Sequence, residues 1–428
     1  MSRIAVIGAG PAGLTTGHRL RAAGHDVTIF EERDVPGGRT HSEHYGPGHW
    51  SDTGAGWLAG FYPRTLALFD ELGERGRLRE LRLRGGGDLL LDGRLVPNPN
   101  SITRIMTTPL LSPLAKVRFF GFMALLFATQ RGRLRLDARY DDRTAEQALR
   151  LAGHEAVERI VRPSFEGPFF SRLEELSAAL IRSWLRDLSI GTFYQVDGGM
   201  DAPWRALGES LQVRGGASVE RVETAGNGVR VTLGGGDAAE RFDGAVVAVP
   251  APVAARIVAS DDLPPAVREI RYAPHVRLYA ARRAEGPPRV GVHVFPNDAV
   301  ATVELGTGHD GGWGNIPDDM EWALVCAPSA SSGPFMTMDD DAVRERLWSV
   351  ASAIEPRLFP LAEAEIVHLI RWPNAVPIVD RGYLARIRTL PQRPPLVFAG
   401  DWLVQPCVEG AVRSGEAAAE RFGRAAGA

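Results

Sequence analysis

The stretch RIAVIGAGPAG, residues 3–13, decides the fold of this chain. Its apolar first half predicts a short buried parallel strand, and the glycines that follow have the spacing of a dinucleotide-binding turn. Gly8 permits the tight turn, Gly10 lets the backbone approach a pyrophosphate, and Gly13 lets the next helix pack closely on the sheet. The sequence therefore predicts a strand, a phosphate-binding loop and a helix.

A helix and a second strand complete this unit. The helix is predicted over about 11–23 and begins with Pro11 and Ala12, so its N-terminal N–H groups and its dipole point toward the phosphates. The second strand, 27–30, ends at Glu31, at the spacing where an acid takes the ribose hydroxyls. The alternative, a glycine-rich turn that binds nothing, leaves this acid unexplained.

The residues after the second strand carry a more specific pattern. Glu31 is followed by Glu32, Arg33 and, after a short spacer, Gly37-Gly38-Arg39. This arrangement resembles the FAD-binding signature of the flavin amine oxidase and protoporphyrinogen oxidase superfamily. The resemblance implies that Glu32, Arg33, Gly38 and Arg39 contribute to binding FAD rather than NAD, with Arg39 as a fixed positive fork near the pyrophosphate and flavin.

The C-terminal residues resemble the last motif of the same superfamily. A strand predicted at 396–399 ends at Gly400 and Asp401, and after a short loop a helix begins at Val408. The resemblance implies that Asp401 holds the ribityl chain and that the helix N-terminus, with Val408 and Ala411, faces the flavin. A helix dipole there would stabilise the negative charge of reduced flavin. The alternative is a terminal unit that only completes the sheet.

Residues 52–57 resemble the superfamily segment that lies beside the isoalloxazine ring. Gly54, Ala55 and Gly56 would let the backbone approach a flat ring. Trp57 is a candidate for the wall of the substrate cavity, with a place in the core as the alternative.

Two further strands are implied by the resemblance. In the family, the strand near Val219 packs its backbone against the adenine. Residues 372–377 resemble the strand that approaches the flavin from the substrate side, which makes Trp372 a second candidate for the cavity wall.

The chain departs from the amine oxidases at two positions. Those enzymes usually carry, in the substrate domain, a lysine that is bonded through water to the flavin, but the single lysine here, Lys116, lies in a predicted helical region. They also place an aromatic residue just before the C-terminal helix, where this chain has Cys407. Both departures argue against amine oxidation. Cys407 is expected to form a small wall of the substrate cavity, with a flavin thioether and a reactive thiol as alternatives.

Composition limits the other classes of function. The chain has 428 residues, 44% hydrophobic and 24% charged, with a net charge of −3 and no basic tract, so nothing favours nucleic acid. Its two cysteines cannot form a disulfide framework or a zinc site, and we expect no metal. The first strand leaves no room for a signal peptide, so we expect a cytoplasmic protein.

The motifs lie far apart, so the cofactor domain must be discontinuous. We predict an α/β fold in which residues 1–95, 191–262 and 388–428 form a Rossmann-like FAD-binding domain of the glutathione-reductase type. A helical insertion, 96–190, and a mixed-sheet region, 263–387, form an interleaved α+β substrate domain.

Two remaining stretches bear on function. Residues 119–128 are apolar but too short to span a bilayer, so we expect them to face the interior or the mouth of a cavity, with membrane contact as the alternative. Residues 306–311 match GxGxxG, but the glycines and proline that follow predict a loop, so we expect no separate nicotinamide site.

Together these patterns favour an FAD-dependent oxidase or desaturase. We expect it to abstract a hydride from a C–H bond of a largely apolar, cyclic small molecule, with O2 as the expected electron acceptor. An amine or amino-acid oxidase and a flavin-dependent isomerase are the alternatives.

Overall fold

A computed structural model describes residues 1–81, 87–99, 101–189, 191–235, 239–286, 290–294, 300–308 and 314–425. Its strands are β1 (Arg3–Ile7), β2 (Asp26–Phe30), β3 (Ser42–Gly46), β4 (His49–Asp52), β5 (Leu58–Ala59), β6 (Leu78–Glu80), β7 (Asp88–Leu91), β8 (Arg94–Pro97), β9 (Phe193–Val196), β10 (Val213–Arg214), β11 (Val219–Ala225), β12 (Gly228–Leu233), β13 (Ala239–Phe242), β14 (Gly244–Val247), β15 (Tyr272–Arg283), β16 (Val290–Val294), β17 (Thr302–Thr307), β18 (Gly314–Asn315), β19 (Met320–Cys326), β20 (Ile366–Pro377) and β21 (Leu396–Phe398).

The α-helices are distributed along the whole chain. They are α1 (Pro11–Ala22), α2 (Pro63–Glu71), α3 (Ile102–Thr107), α4 (Pro113–Thr129), α5 (Ala145–Leu149), α6 (His154–Ala156), α7 (Arg162–Phe169), α8 (Ala178–Leu188), α9 (Ala202–Glu209), α10 (Ala251–Ile257), α11 (Pro265–Arg268), α12 (Ser329–Phe335), α13 (Asp340–Ile354), α14 (Tyr383–Ile387) and α15 (Val408–Ala425). A π-helical turn, Val157–Val161, lies between α6 and α7, and short 3₁₀ turns include Gly38–Thr40 and Asp401–Leu403.

A parallel five-stranded sheet gathers segments that are far apart in sequence. Its strand order is β10-β2-β1-β14-β21, and every neighbouring pair is parallel. The strands are almost entirely buried, as expected for a parallel sheet covered on both faces. The predicted Rossmann-like fold is confirmed, because strands near residues 5, 245 and 397 lie side by side.

Close packing of α1 against α15 joins the two ends of the chain. The contact passes through Gly415, where an added Cβ would lie 2.4 Å from the carbonyl oxygen of Ala12. The hydroxyl of Thr16 also donates to the carbonyl of Gly415 at 3.2 Å. The glycine is therefore needed for the approach of the two helices.

A second, seven-stranded sheet has the order β20-β15-β19-β17-β16-β7-β8. One face packs on α13 through a core that includes Val276, Leu278 and Leu347. The edge hairpin, β7 and β8, comes from residues 88–97. We therefore propose that the region contributing to this sheet begins before residue 88, earlier than the boundary near 95 that we predicted from sequence.

Helix α4 contains the apolar stretch 119–128. The side chains of Phe119, Phe122 and Leu126 are buried, whereas those of Leu125 and Phe127 are exposed. The expected interior position is observed for the side of the helix that packs on α6 and α8, and the expected cavity mouth at the exposed side stays a prediction. Within the described residues, no helix combines the length and the apolar character that crossing a membrane requires.

The second glycine pattern falls at the end of β17. Gly306 and Thr307 belong to the strand, and residues 309–313 lie outside the described residues. The next described element is β18, a strand that pairs with β4. The loop predicted there stays a prediction.

Gly415→Ala is expected to loosen the contact between α1 and α15, because the new methyl group would collide with a backbone oxygen rather than a flexible side chain. Overpacking of this kind lowers the free energy of unfolding by about 1–3 kcal/mol. Urea denaturation followed by circular dichroism measures the change. Gly423→Ala, on the same helix with no atom within 4 Å, is the control and should be neutral or stabilising. Equal effects of the two substitutions would contradict the assigned contact.

Candidate functional site

The turn between β1 and α1 is built by glycines. Gly8 has a φ of +103°, and a Cβ on Gly13 would lie 1.9 Å from the carbonyl oxygen of Gly8. Helix α1 begins with Gly10 as its N-cap and Pro11 in its first turn, and no side chain caps it. Its N-terminus therefore has free N–H groups that can donate hydrogen bonds to phosphate oxygens, and the positive end of the helix dipole lies there.

Gly10 differs from the other glycines of this turn. A Cβ added there would meet only the Cα of Gly38, at 3.8 Å, so the chain's own packing does not require glycine. Ala12 follows at the buried start of the helix. Open space at the uncapped helix end, with the backbone of Gly38 packed beside Gly10, fits a pyrophosphate that lies against both glycines.

Glu31 lies at the end of β2, as predicted. Its carboxylate accepts hydrogen bonds from the backbone N–H of Ala9 at 2.7 Å and of Arg33 at 3.2 Å. Burial raises the pKa of the Glu31 carboxyl by more than these two hydrogen bonds lower it. The N–H of Ala217 donates to the carbonyl of Glu31 at 2.8 Å, which brings Val219 at the start of β11 beside the acid. Glu32 is exposed.

Arg39 and Asp401 form a bidentate ion pair. Their Nη2–Oδ1 and Nη1–Oδ2 distances are 2.6 and 3.0 Å, and Nη1 of Arg39 also donates to the carbonyl of Ala375 at 2.9 Å. Burial lowers the pKa of Arg39, but the nearby Asp401 carboxylate raises it. The net pKa is raised, so the guanidinium stays charged. The N-terminal loop, the end of β21 and strand β20 therefore meet at one point, as the predicted site requires.

The segment 52–57 packs on the same loop. The N–H of Ala55 donates to the carbonyl of Arg39 at 2.9 Å, and a Cβ on Gly54 would lie 2.0 Å from that oxygen. Trp57, which follows Gly56, packs edge to face on Phe193, with the ring centroids 4.9 Å apart. Trp57 is half-buried and belongs to an aromatic cluster, so it packs on the core and still keeps an exposed part.

Trp372 links β20 to this segment. Its indole N–H donates to the carbonyl of Thr53 at 2.7 Å. The guanidinium of Arg33 lies 4.8 Å from the centre of its ring. Trp372 therefore lies where the larger sheet meets the cofactor loops, and its place on the substrate side stays a prediction.

The start of α15 carries Cys407, Val408 and Ala411. Burial raises the pKa of the Cys407 thiol to about 12, so a reactive thiolate is disfavoured. Val408 and Ala411 are buried in the main core. Gly400, two residues after the end of β21, has a φ of +152° and directs the chain to Asp401.

Glu409 has a structural role that the sequence did not reveal. Its carboxylate accepts hydrogen bonds from the N–H of Arg64 at 3.1 Å and from the N–H of Thr65 at 2.9 Å. These groups belong to the first turn of α2, so Glu409 caps that helix from a position 345 residues later in the chain. No local signal could have predicted this pairing.

Strand β15 places an unanticipated cation on the cofactor side of the larger sheet. Arg277 is 4% exposed and lies opposite Cys326 on β19 and Ile370 on β20. His275, on the same face, lies opposite Trp372 and stacks on Phe170 with ring centroids 3.9 Å apart. Arg277 was not predicted, because the resemblance to amine oxidases directs attention to a lysine in this region. An arginine inside the apolar run HVRLYAA was the available signal.

Two titratable neighbours of Arg277, His275 and Cys326, are held neutral by burial, and burial also shifts the pKa of Asp52. Burial, with a smaller effect of Arg277, lowers the pKa of His275 to about 3. Burial raises the pKa of Cys326 to about 12. Burial also raises the pKa of Asp52 to about 6, although hydrogen bonds from Ser42 and Met200 lower it.

Aromatic residues form the next layer of this face. The Tyr279 hydroxyl and His49 Nε2 are 2.8 Å apart, and the Tyr45 hydroxyl lies 3.0 Å from Nδ1 of His368. Tyr45 and Tyr279 stack with ring centroids 5.3 Å apart. Burial raises the pKa values of both tyrosines, so they remain protonated.

Comparison with known proteins assigns the family. The model of the flavin containing amine oxidoreductase family matches residues 11–422. The 15-cis-phytoene desaturase of Synechococcus elongatus is 42% identical over 77 residues, which is 18% of this chain and only 16% of that protein. A candidate protoporphyrinogen oxidase from Exiguobacterium sp. 255-15 is 16% identical with a TM-score of 0.78 over 99% of each chain. Cyclohexylamine oxidase from Brevibacterium oxydans is 18% identical with a TM-score of 0.74 over 100% of each chain.

The uncapped helix, the open space at Gly10 and the acid at the end of β2 fit the predicted dinucleotide site. The chain belongs to the flavin containing amine oxidoreductase family. Its cofactor is FAD. Within the described residues no cluster of side chains suits a metal ion.

Gly10→Val is expected to give folded but colourless protein, because its methyl groups would fill the open space at Gly10 that the pyrophosphate needs. The absorbance ratio of flavin to protein after purification measures the loss. Gly76→Val is the control, since no atom lies within 4 Å of a Cβ there. A full flavin spectrum in Gly10→Val would refute this placement of the pyrophosphate.

Asp52 should make stability fall as the pH rises. Its pKa is about 6 in the folded protein against 3.8 in a free side chain, so the native state binds the proton more tightly. The stability of the wild type should drop relative to Asp52→Asn by about 3 kcal/mol in all between pH 3 and pH 8, of which about 2 kcal/mol falls between pH 4 and pH 6, and it should level off above pH 7. The amide of that variant can keep both hydrogen bonds, because Ser42 and Met200 donate to the same oxygen. Urea denaturation over this range tests it. Asp70→Asn on exposed α2 is the control, and parallel curves for the wild type and Asp52→Asn would contradict the assignment.

Proposed function

We propose that this protein is an FAD-dependent oxidoreductase that oxidises a C–H bond of a largely apolar, cyclic small molecule. The observation that carries the proposal is the cradle around Gly10, Gly38 and Glu31, closed by the Arg39–Asp401 ion pair. FAD supplies the two-electron acceptor for such an oxidation when bound. O2 is the electron acceptor that we propose for the second half of the reaction.

Different residues of the chain would hold different parts of FAD. The N-terminus of α1 and the fork of Arg39 would hold the pyrophosphate, and Glu31 would hold the adenosine ribose. Asp401 would orient the ribityl chain, and the dipole of α15 would stabilise negative charge beside its N-terminus. Trp372, Trp57 and Cys407 would exclude water from the side where the substrate enters.

Charge on the substrate side disfavours an amine. Arg277 places a permanent positive charge on the cofactor side of the sheet, since a guanidinium cannot be deprotonated in a protein. The single lysine, Lys116, lies on α4, where its Nζ donates to the carbonyl of Met106 at 2.8 Å. Amine oxidation is nevertheless the second candidate, because the family model is that of amine oxidoreductases and cyclohexylamine oxidase shares the fold. A flavin-dependent isomerase would need no electron acceptor.

Anaerobic flavin bleaching separates these functions. We expect desaturable apolar rings, such as cyclohexanone and cyclohexanecarboxylate derivatives, to reduce the flavin, whereas putrescine, cyclohexylamine, NADH and NADPH leave it oxidised. Readmitted air should restore the colour with formation of hydrogen peroxide. Bleaching by an amine with release of ammonia would select the amine oxidase. Rapid bleaching by NADPH alone would replace the proposal with a reductase or monooxygenase. Substrate rearrangement without peroxide would select the isomerase.

A further inference from the structure

The guanidinium of Arg277 has one edge without a partner in the described parts of the chain. Its Nε and Nη2 are buried and have no hydrogen-bond acceptor there, although the side chain is only 4% exposed. These two nitrogens carry the parallel N–H groups of the fork that matches two carboxylate oxygens. Burying a charge without a partner is costly, so buried guanidinium groups are normally paired.

Neighbouring carboxylates do not fill this edge. Asp52 is within electrostatic range of Arg277, but its hydrogen bonds come from Ser42 Oγ at 2.6 Å and the N–H of Met200 at 3.0 Å. Glu304 lies on the same face of the sheet, two strands away on β17, and makes interactions of its own. The nearest neighbours on the strands, His275 and Cys326, are neutral and supply no anion.

The free edge lies on the side of the sheet where the cofactor loops pack. Val276 and Leu278, the residues on either side of Arg277, point into the core under α13. Arg277 therefore shares the opposite face with His275 and with Trp372, whose indole bonds to Thr53. A group bound to Arg277 would lie between the larger sheet and the 52–57 segment.

We propose that Arg277 binds a carboxylate of the substrate through its Nε and Nη2 edge. This inference rests on the proposed function and narrows the substrate class to apolar molecules that carry an acidic group. The aromatic layer and the neutral neighbours would hold the apolar part, and the fixed charge of Arg277 would select the acid over a neutral or cationic analogue.

Calorimetric titration of the flavin-loaded protein tests the inference with matched pairs of probes: benzoate and benzamide, naphthoate and naphthamide, octanoate and octanamide. We expect at least one acid to bind the wild type about ten-fold or more tightly than its amide. Arg277→Met should abolish that preference while leaving amide binding unchanged. Arg283→Met is the control, because it removes an exposed arginine from the same strand. Equal binding of acids and amides, no binding of any acid, or a preference that survives in Arg277→Met would overturn the proposal.

A second variant covers the case in which Arg277→Met does not fold. Arg277→Lys keeps the charge but loses the planar fork, so the preference for the acid should fall at least about three-fold without disappearing. A purely structural role would instead change the thermal midpoint of either variant and leave the ratio of acid to amide affinity intact, which would contradict the proposal.

Failure of the inference can be distinguished from failure of the proposed function, because calorimetry records binding without turnover. If no compound bleaches the flavin but acids still depend on Arg277, the function is wrong and the inference stands. If an acid bleaches the flavin equally fast, and with the same dependence on its concentration, in the wild type and in Arg277→Met, the function stands and the inference is wrong.

Discussion

The ion pair between Arg39 and Asp401 is the interaction on which the site depends. It joins residues 362 positions apart and binds the carbonyl of Ala375 in addition. An ion pair that is taken out of water repays its desolvation only when its geometry is good and further hydrogen bonds support it; here both contacts between the two side chains are short, and the carbonyl of Ala375 accepts a third bond. Because one side chain comes from the loop after β2 and the other from the end of β21, the pair forms only when the parallel sheet has assembled from both ends of the chain.

The close packing of the two ends of the chain also explains why glycines are concentrated where the loop of Arg39, α1 and α15 meet. The loop of Arg39 lies against Gly54, and α1 lies against α15 at Gly415, where added Cβ atoms would approach backbone oxygens to 2.0 and 2.4 Å. Gly10 is the exception, since its space is left open by the protein. Most of these glycines therefore allow the two ends of the chain to pack together, whereas the space at Gly10 is available to the cofactor, as we propose.

Elements with strong local signals were predictable from the sequence. The strand–turn–helix at 3–22, the acid at Glu31 and the strand that ends at Asp401 each follow from short runs of residues with known geometric needs. The capping of α2 by Glu409 and the free edge of Arg277 were not predictable, because both depend on the register between segments that are distant in sequence. The buried side of α4 was not predictable either. Residues 119–128 are apolar on every side of the helix, and only packing against other elements decides which side is buried.

Electrostatics connects substrate binding with the chemistry of the site. On the cofactor side of the larger sheet, burial keeps His275 and Cys326 neutral, while Arg277 retains its charge because a guanidinium has no accessible neutral form. At the other side of the junction, the N-terminus of α15 presents the positive end of a helix dipole. Both features favour negative charge and act in surroundings from which water is largely excluded, where such fields are strongest. An environment of this kind draws in an acidic ligand and lowers the cost of negative charge on a group held at the helix end, so one arrangement of charge would serve both recognition and oxidation.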